Sequence, residues 1–110
     1  MKAIFTLLCL FCAAGSFAHP PSRITVHFDP ATYILKVTMH HEVKDTVKHF
    51  INRIEIVWNE QEAVRQDFIV QLDSGKQEAL YIMPGAKPGD KITVTSHCNV
   101  YGKKKEAFQL

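Results

Sequence analysis

Paired cysteines are what this chain most conspicuously lacks. Its three cysteines are Cys9, Cys12 and Cys98. The first two belong to a segment that reads as a removable leader, so the domain proper is expected to keep a single thiol and to form no internal disulfide. Long apolar runs are scarce as well. The one candidate, Ala3 to Ala14, is too short to cross a bilayer as a retained helix, and the residues after it turn polar and proline-rich. Charge of one sign is also missing: thirteen Lys and Arg stand against eleven Asp and Glu. That balance argues against a nucleic-acid groove. No helical period, internal repeat, low-complexity tract or linker interrupts the body of the chain.

The amino end supplies the first positive feature. "MKAIFTLLCLFCAAGSFA" carries one Lys, an apolar stretch and the small-residue pattern Ser16-Phe17-Ala18, which together read as a secretory signal peptide over residues 1–18. Neither Cys9 nor Cys12 follows the Leu-small-small triplet that lipid attachment needs. Cleavage after Ala18 would leave one domain, residues 19–110, with no membrane span, in the periplasm or outside the cell.

From Arg23 onward apolar residues alternate. Ile24, Val26 and Phe28 share one face, "DPAT" turns the chain, and Tyr33, Leu35, Val37 and Met39 follow as the second strand of a hairpin. "HFINRIEIVW" puts Phe50, Asn52, Ile54, Ile56 and Trp58 in one phase, opposite Ile51, Arg53, Glu55 and Val57. After "NEQE" a weaker strand is expected around Asp67 to Leu72, then "EALYIM", then "KITVTSHC" with Ile92, Val94, Ser96 and Cys98 in phase, and finally "EAFQL". About seven short strands with turn signals at regular spacing predict an all-β protein, an immunoglobulin-like antiparallel β-sandwich. The absence of a Cys-Trp-Cys framework excludes an antibody-like domain. "KKK" at 103–105 reads as a charged strand edge that discourages aggregation, with an anionic docking patch as the alternative.

Six histidines carry the chemistry: His19, His27, His40, His41, His49 and His97. Neutral imidazole is the commonest metal ligand, and with a thiolate it suits iron, copper or zinc. His40 and His41 end one predicted strand, His49 precedes the next, Cys98 ends a third and His19 lies ahead of the first. Strand ends of a sandwich can meet at one rim. His27 shares its face with Arg23 and Thr25 and reads as a surface imidazole. His97 points away from Cys98 if the strand is regular. A lone Cys98 is also compatible with an inert buried thiol or with a link in a homo-oligomer.

"HCNVYG" resembles the Cys-Asn-x-His-Gly element of the desulfoferrodoxin and superoxide reductase ferrous-iron domain. "HHEVKDTVKHFINRIEI" is similar to that family's His-Pro…His-(aromatic)-Ile-x-x-Ile-Glu element. The resemblance implies an immunoglobulin-like sandwich holding non-haem Fe2+ between four equatorial histidines and one axial cysteine, which reduces superoxide to peroxide with electrons from an external donor. Cys98 would match the axial ligand, His41 and His49 two equatorial ones, and His19 the amino-terminal one. Departures accompany the match. Tyr101 stands where the fourth histidine belongs, Glu42 replaces a proline, the His41–His49 spacing is two residues longer, and no Glu-Lys pair precedes His19. Lys48 is the cation beside a proposed ligand. The resemblance therefore implies weakened or lost activity. Two further readings stay open: a copper module using the α-amine and imidazole of an amino-terminal His19, and a metal-free interaction domain.

Overall fold

The computed structural model describes residues 19–110; the leader read over residues 1–18 lies outside them. Seven strands follow one another: β1 (Arg23–Asp29), β2 (Ile34–His40), β3 (Ile51–Trp58), β4 (Gln61–Asp67), β5 (Lys76–Ile82), β6 (Lys91–Cys98) and β7 (Lys103–Gln109). Two antiparallel sheets result, one of order β1-β2-β5 and one of order β4-β3-β6-β7. This is the expected all-β sandwich.

Period-two patterning explains which face each strand buries. Leu35, Val37 and Met39 of β2 are fully buried, as are Ile92, Val94 and Ser96 of β6 and Ile54 and Ile56 of β3. Residues one position along face outward, because successive side chains of a strand point to opposite sides. At roughly 25 cal/mol per Å² of apolar area removed from water, each such aliphatic side chain contributes about 1.5–3 kcal/mol, before entropy is subtracted. The β1–β2 turn is fixed by Asp29, whose carboxylate accepts from the Ala31 amide (3.0 Å) and the Thr32 hydroxyl (3.0 Å), while its carbonyl accepts from the Tyr33 amide (2.8 Å). Lys103 to Lys105 lie on β7, an edge strand of the larger sheet, where charge opposes pairing with another chain.

Two details differ from the sequence expectation. The fourth strand is Gln61–Asp67, not Asp67 to Leu72. Asn59 and Glu60, with φ of 46° and 72°, close a tight turn directly after Trp58, so "NEQE" belongs half to the turn and half to the strand. Residues 68–75 form an irregular loop instead. The second difference lies in β3. Ile51 pairs with Cys98 and Arg53 with His97, so Asn52 is an extra residue in a β-bulge. The bulge resets the phase: Ile51 takes the core position that strict alternation gives Asn52.

Candidate metal centre

His41 and Cys98 reach the same rim by the same rule. Inward positions of β2 run Leu35, Val37, Met39, and the next in that series is His41, one residue past the strand and fully buried. Inward positions of β6 run Ile92, Val94, Ser96, and the next is Cys98, 8% exposed. Facing sheets thus deliver an imidazole and a thiol to one end of the core. His40 occupies the outward position and contacts the Arg23 guanidinium at 3.3 Å. His41, not His40, enters the cluster.

His49 arrives from the loop between β2 and β3. Asp45 winds that loop into a turn, its carboxylate accepting from the Val47 amide (2.9 Å) and its carbonyl from the His49 amide (2.9 Å). Asn99 then holds the loop against the end of β6: its Oδ1 accepts from the Phe50 amide (2.8 Å) and its Nδ2 donates to the Lys48 carbonyl (3.0 Å). His49 Nε2 ends 3.2 Å from Cys98 Sγ. Burial, followed by repulsion from His41 and then His19, lowers the His49 pKa below its ordinary 6.5. A ring kept neutral in this way has a lone pair to offer a metal.

The segment ahead of β1 brings in His19. The Ser22 amide donates to the His40 carbonyl (2.9 Å), and Pro20 packs onto Gly102. That glycine has φ of 78°, and a β-carbon there would stand 3.0 Å from Pro20 Cβ. Only glycine suits both the conformation and the close approach. The His19 ring centroid lies 5.3 Å from that of His41 and 5.7 Å from that of His49, and the latter two are 4.8 Å apart.

One ligand atom each from His41, His49 and Cys98 can be chosen so that all three lie within 4.8 Å of one another. Ligands at about 2.0–2.3 Å from one ion are separated by at most about 4.6 Å, so the cluster is near metal-binding dimensions. Its chemistry fits too. Two backbone amides, of Val100 (3.4 Å) and Tyr101 (3.5 Å), donate to Cys98 Sγ, aimed at the charge that a metal-bound sulfur carries. Cys98 is a free cysteine. The arrangement fits a metal site built on two imidazoles and a thiolate, with the His19 ring near both imidazoles.

The remaining sequence candidates fall elsewhere. Tyr101 is 62% exposed, and its contact with the cluster is its backbone amide rather than its phenol. His97 faces the outside of the larger sheet, bonded to Glu55 at 2.7 Å. His27 is exposed, and Lys48 is exposed beside the site. Sequence reading missed Gln71. It is 2% exposed and contacts His41 Nδ1 at 2.9 Å through Oε1. Nothing local marks it, because it sits in the irregular loop where a strand was expected. Asn99 lies inside the quoted "HCNVYG", but its clamp on the loop before β3 is seen only in the structure.

No family model matches the chain, and no curated protein does. Solved structures do. A hypothetical protein from Pyrococcus horikoshii OT3 superposes with a TM-score of 0.61 at 19% identity, over 87% of this chain and 92% of that one. A superoxide reductase (neelaredoxin) from Ignicoccus hospitalis superposes with a TM-score of 0.50 at 14% identity, over 89% and 83%. At such identities the likeness is one of fold: the chain shares its β-sandwich with a superoxide reductase as a distant structural relative.

Proposed function

We propose that this protein is an exported non-haem iron protein of superoxide reductase type, with His41, His49, Cys98 and His19 as ligands. The observation that carries the reading is the meeting of a single thiol with His41 and His49 at one rim of a sandwich whose fold is shared with a superoxide reductase. Bound ferrous iron would supply the single electron that converts superoxide, with two protons, to hydrogen peroxide. Cys98 provides the negative, polarisable donor, and the Val100 and Tyr101 amides steady its charge. His41 and His49 provide imidazole donors, and the complete burial of His41 keeps bulk water from its ring. Exposed Lys48 draws the superoxide anion toward the rim. Electrons return from an external donor, since Cys98 is the domain's one cysteine. Signal cleavage after Ala18 places the mature protein in the periplasm or outside the cell, beginning at His19.

The test is anaerobic loading of the protein with Fe(II), followed by rapid mixing with superoxide. Stoichiometric oxidation of the iron with peroxide release, lost in His49→Ala, is the expected result. Iron that binds but ignores superoxide leaves a metal protein without this activity. Preferential loading with copper, abolished when the His19 α-amine is blocked, replaces the reading with the amino-terminal copper site.

A further inference from the structure

The Gln71 carboxamide uses every hydrogen-bonding position it has. Its Nε2 donates to two backbone carbonyls, of His41 (2.8 Å) and Asp73 (2.9 Å). Its Oε1 accepts from the backbone amide of Ile51 (3.1 Å) and lies 2.9 Å from His41 Nδ1. Backbone carbonyls can only accept and backbone amides can only donate. Three main-chain groups therefore dictate which end of the carboxamide is oxygen, with no freedom to flip. The loop itself is held as well, by the Gln71 amide on the Thr46 carbonyl (3.1 Å) and by His41 and Val43 amides on the Gly75 and Ser74 carbonyls (2.9 and 2.8 Å).

We infer that Gln71 is a positioning residue for the metal site: its fixed oxygen holds the ring proton of His41 on Nδ1 and so presents Nε2 as the ligand atom. This deepens the iron reading and rests on it. A second contact competes for the same proton. His41 Nε2 lies 3.1 Å from the His19 carbonyl oxygen. With the proton on Nδ1, two acceptors face each other there with nothing to share, an arrangement that costs free energy even in a part-buried place. Were the proton on Nε2, the His19 carbonyl would be satisfied and the lone pair would point at Gln71 Oε1, itself unable to donate. Gln71 prevails in the inference because three main-chain groups fix its carboxamide oxygen in place, whereas the His19 carbonyl precedes the first strand at the very start of the described residues. Metal-bound histidines generally donate their other ring N–H to such a partner, and losing it costs about 10–100-fold in metal affinity.

The experiment reads the His41 tautomer by long-range 1H–15N correlation in the metal-free, 15N-labelled protein, and Fe(II) affinity in parallel. In the wild type His41 should show a protonated Nδ1 and a bare Nε2; a protonated Nε2 overturns the inference without recourse to any variant. Gln71→Leu should move the proton to Nε2, toward the His19 carbonyl, and weaken Fe(II) binding by about 10–100-fold. Gln71→Glu loses the two donations to the His41 and Asp73 carbonyls but retains an acceptor facing the ring, and should still keep the proton on Nδ1. Unchanged tautomer and affinity in Gln71→Leu contradict the inference. Failure of the wild type to bind iron while its Nδ1 stays protonated sinks the iron reading instead, so the two failures are separable.

Discussion

Polar side chains are buried at both ends of this sandwich, and they are satisfied in opposite ways. At the far end, where β3 finishes and β6 begins, Asp90 is 7% exposed. Its Oδ2 accepts from Trp58 Nε1 (3.0 Å) and the Lys87 amide (3.2 Å), Lys87 Nζ lies 3.6 Å from its Oδ1, and its carbonyl accepts from the Leu110 amide (2.8 Å). Donors meet acceptors throughout, and the carboxylate plugs the core. At the near end, His41, His49 and Cys98 crowd their ligand atoms together, and both ring nitrogens of His41 face oxygens that can only accept. A cluster that exists for stability is complete in itself. A cluster that wants a cation is completed only by one.

That contrast predicts that the two ends answer to different assays. Cys98→Ser should cost more than about 100-fold in Fe(II) affinity, beyond the range typical for an outer-shell partner, and should erase the sulfur-to-ferric absorption band on oxidation. The metal-free melting temperature should barely move. Trp58→Phe should do the reverse. It strips a donor from a buried carboxylate, lowering stability by about 1–3 kcal/mol in denaturant titration, with iron affinity unchanged. A change in both properties from either substitution would break the comparison.

Acid sharpens the far end further. The Trp58 N–H above all, with help from Asn59 and Lys87 and against the opposing effect of burial, holds the Asp90 carboxyl below its ordinary 3.8. A depressed carboxyl contributes stability that is fully present above the unfolded value and is lost as pH falls through the folded one. The stability gap between the metal-free wild type and Trp58→Phe should therefore narrow as pH drops below 3.8. A gap of constant size down to the acid transition would mean that Trp58 acts by packing alone. The smallest effect belongs to the outer face between the two ends. Glu55→Gln, which weakens a half-exposed pair with His97, should change stability by less than about 1 kcal/mol and leave both ends untouched.

Much of this was legible in the sequence, for a physical reason. Alternation in "TYILKVTMH" and "KITVTSHC" specifies which face each residue takes and puts Cys98 on an inward series, whereas the choice between His40 and His41 at the end of β2 stayed open until the structure showed the inward series continuing past the strand to His41. What counting cannot deliver is the break in the count. The bulge at Asn52 shifts β3 by one residue, and the pairing of Ile51 with Cys98 depends on partners distant in sequence. Gln71 was hidden for a similar reason. Its four side-chain hydrogen bonds go to residues 41, 51 and 73, and no local pattern announces a side chain whose role is to satisfy main-chain groups from three segments. The fourth strand was misplaced because Asn59 and Glu60 turn the chain within two left-handed residues, tighter than "NEQE" suggested. Tyr101 shows the limit of motif matching. It occupies the motif's histidine position yet exposes its ring to solvent.

Anomalous diffraction at the iron edge, from crystals of the Fe(II)-loaded protein, tests the central claim most directly. One strong peak should lie within bonding distance of Cys98 Sγ and of one ring nitrogen from each of His41 and His49, about 2.0–2.3 Å away. A peak elsewhere on the surface, or none near Cys98, would contradict the account.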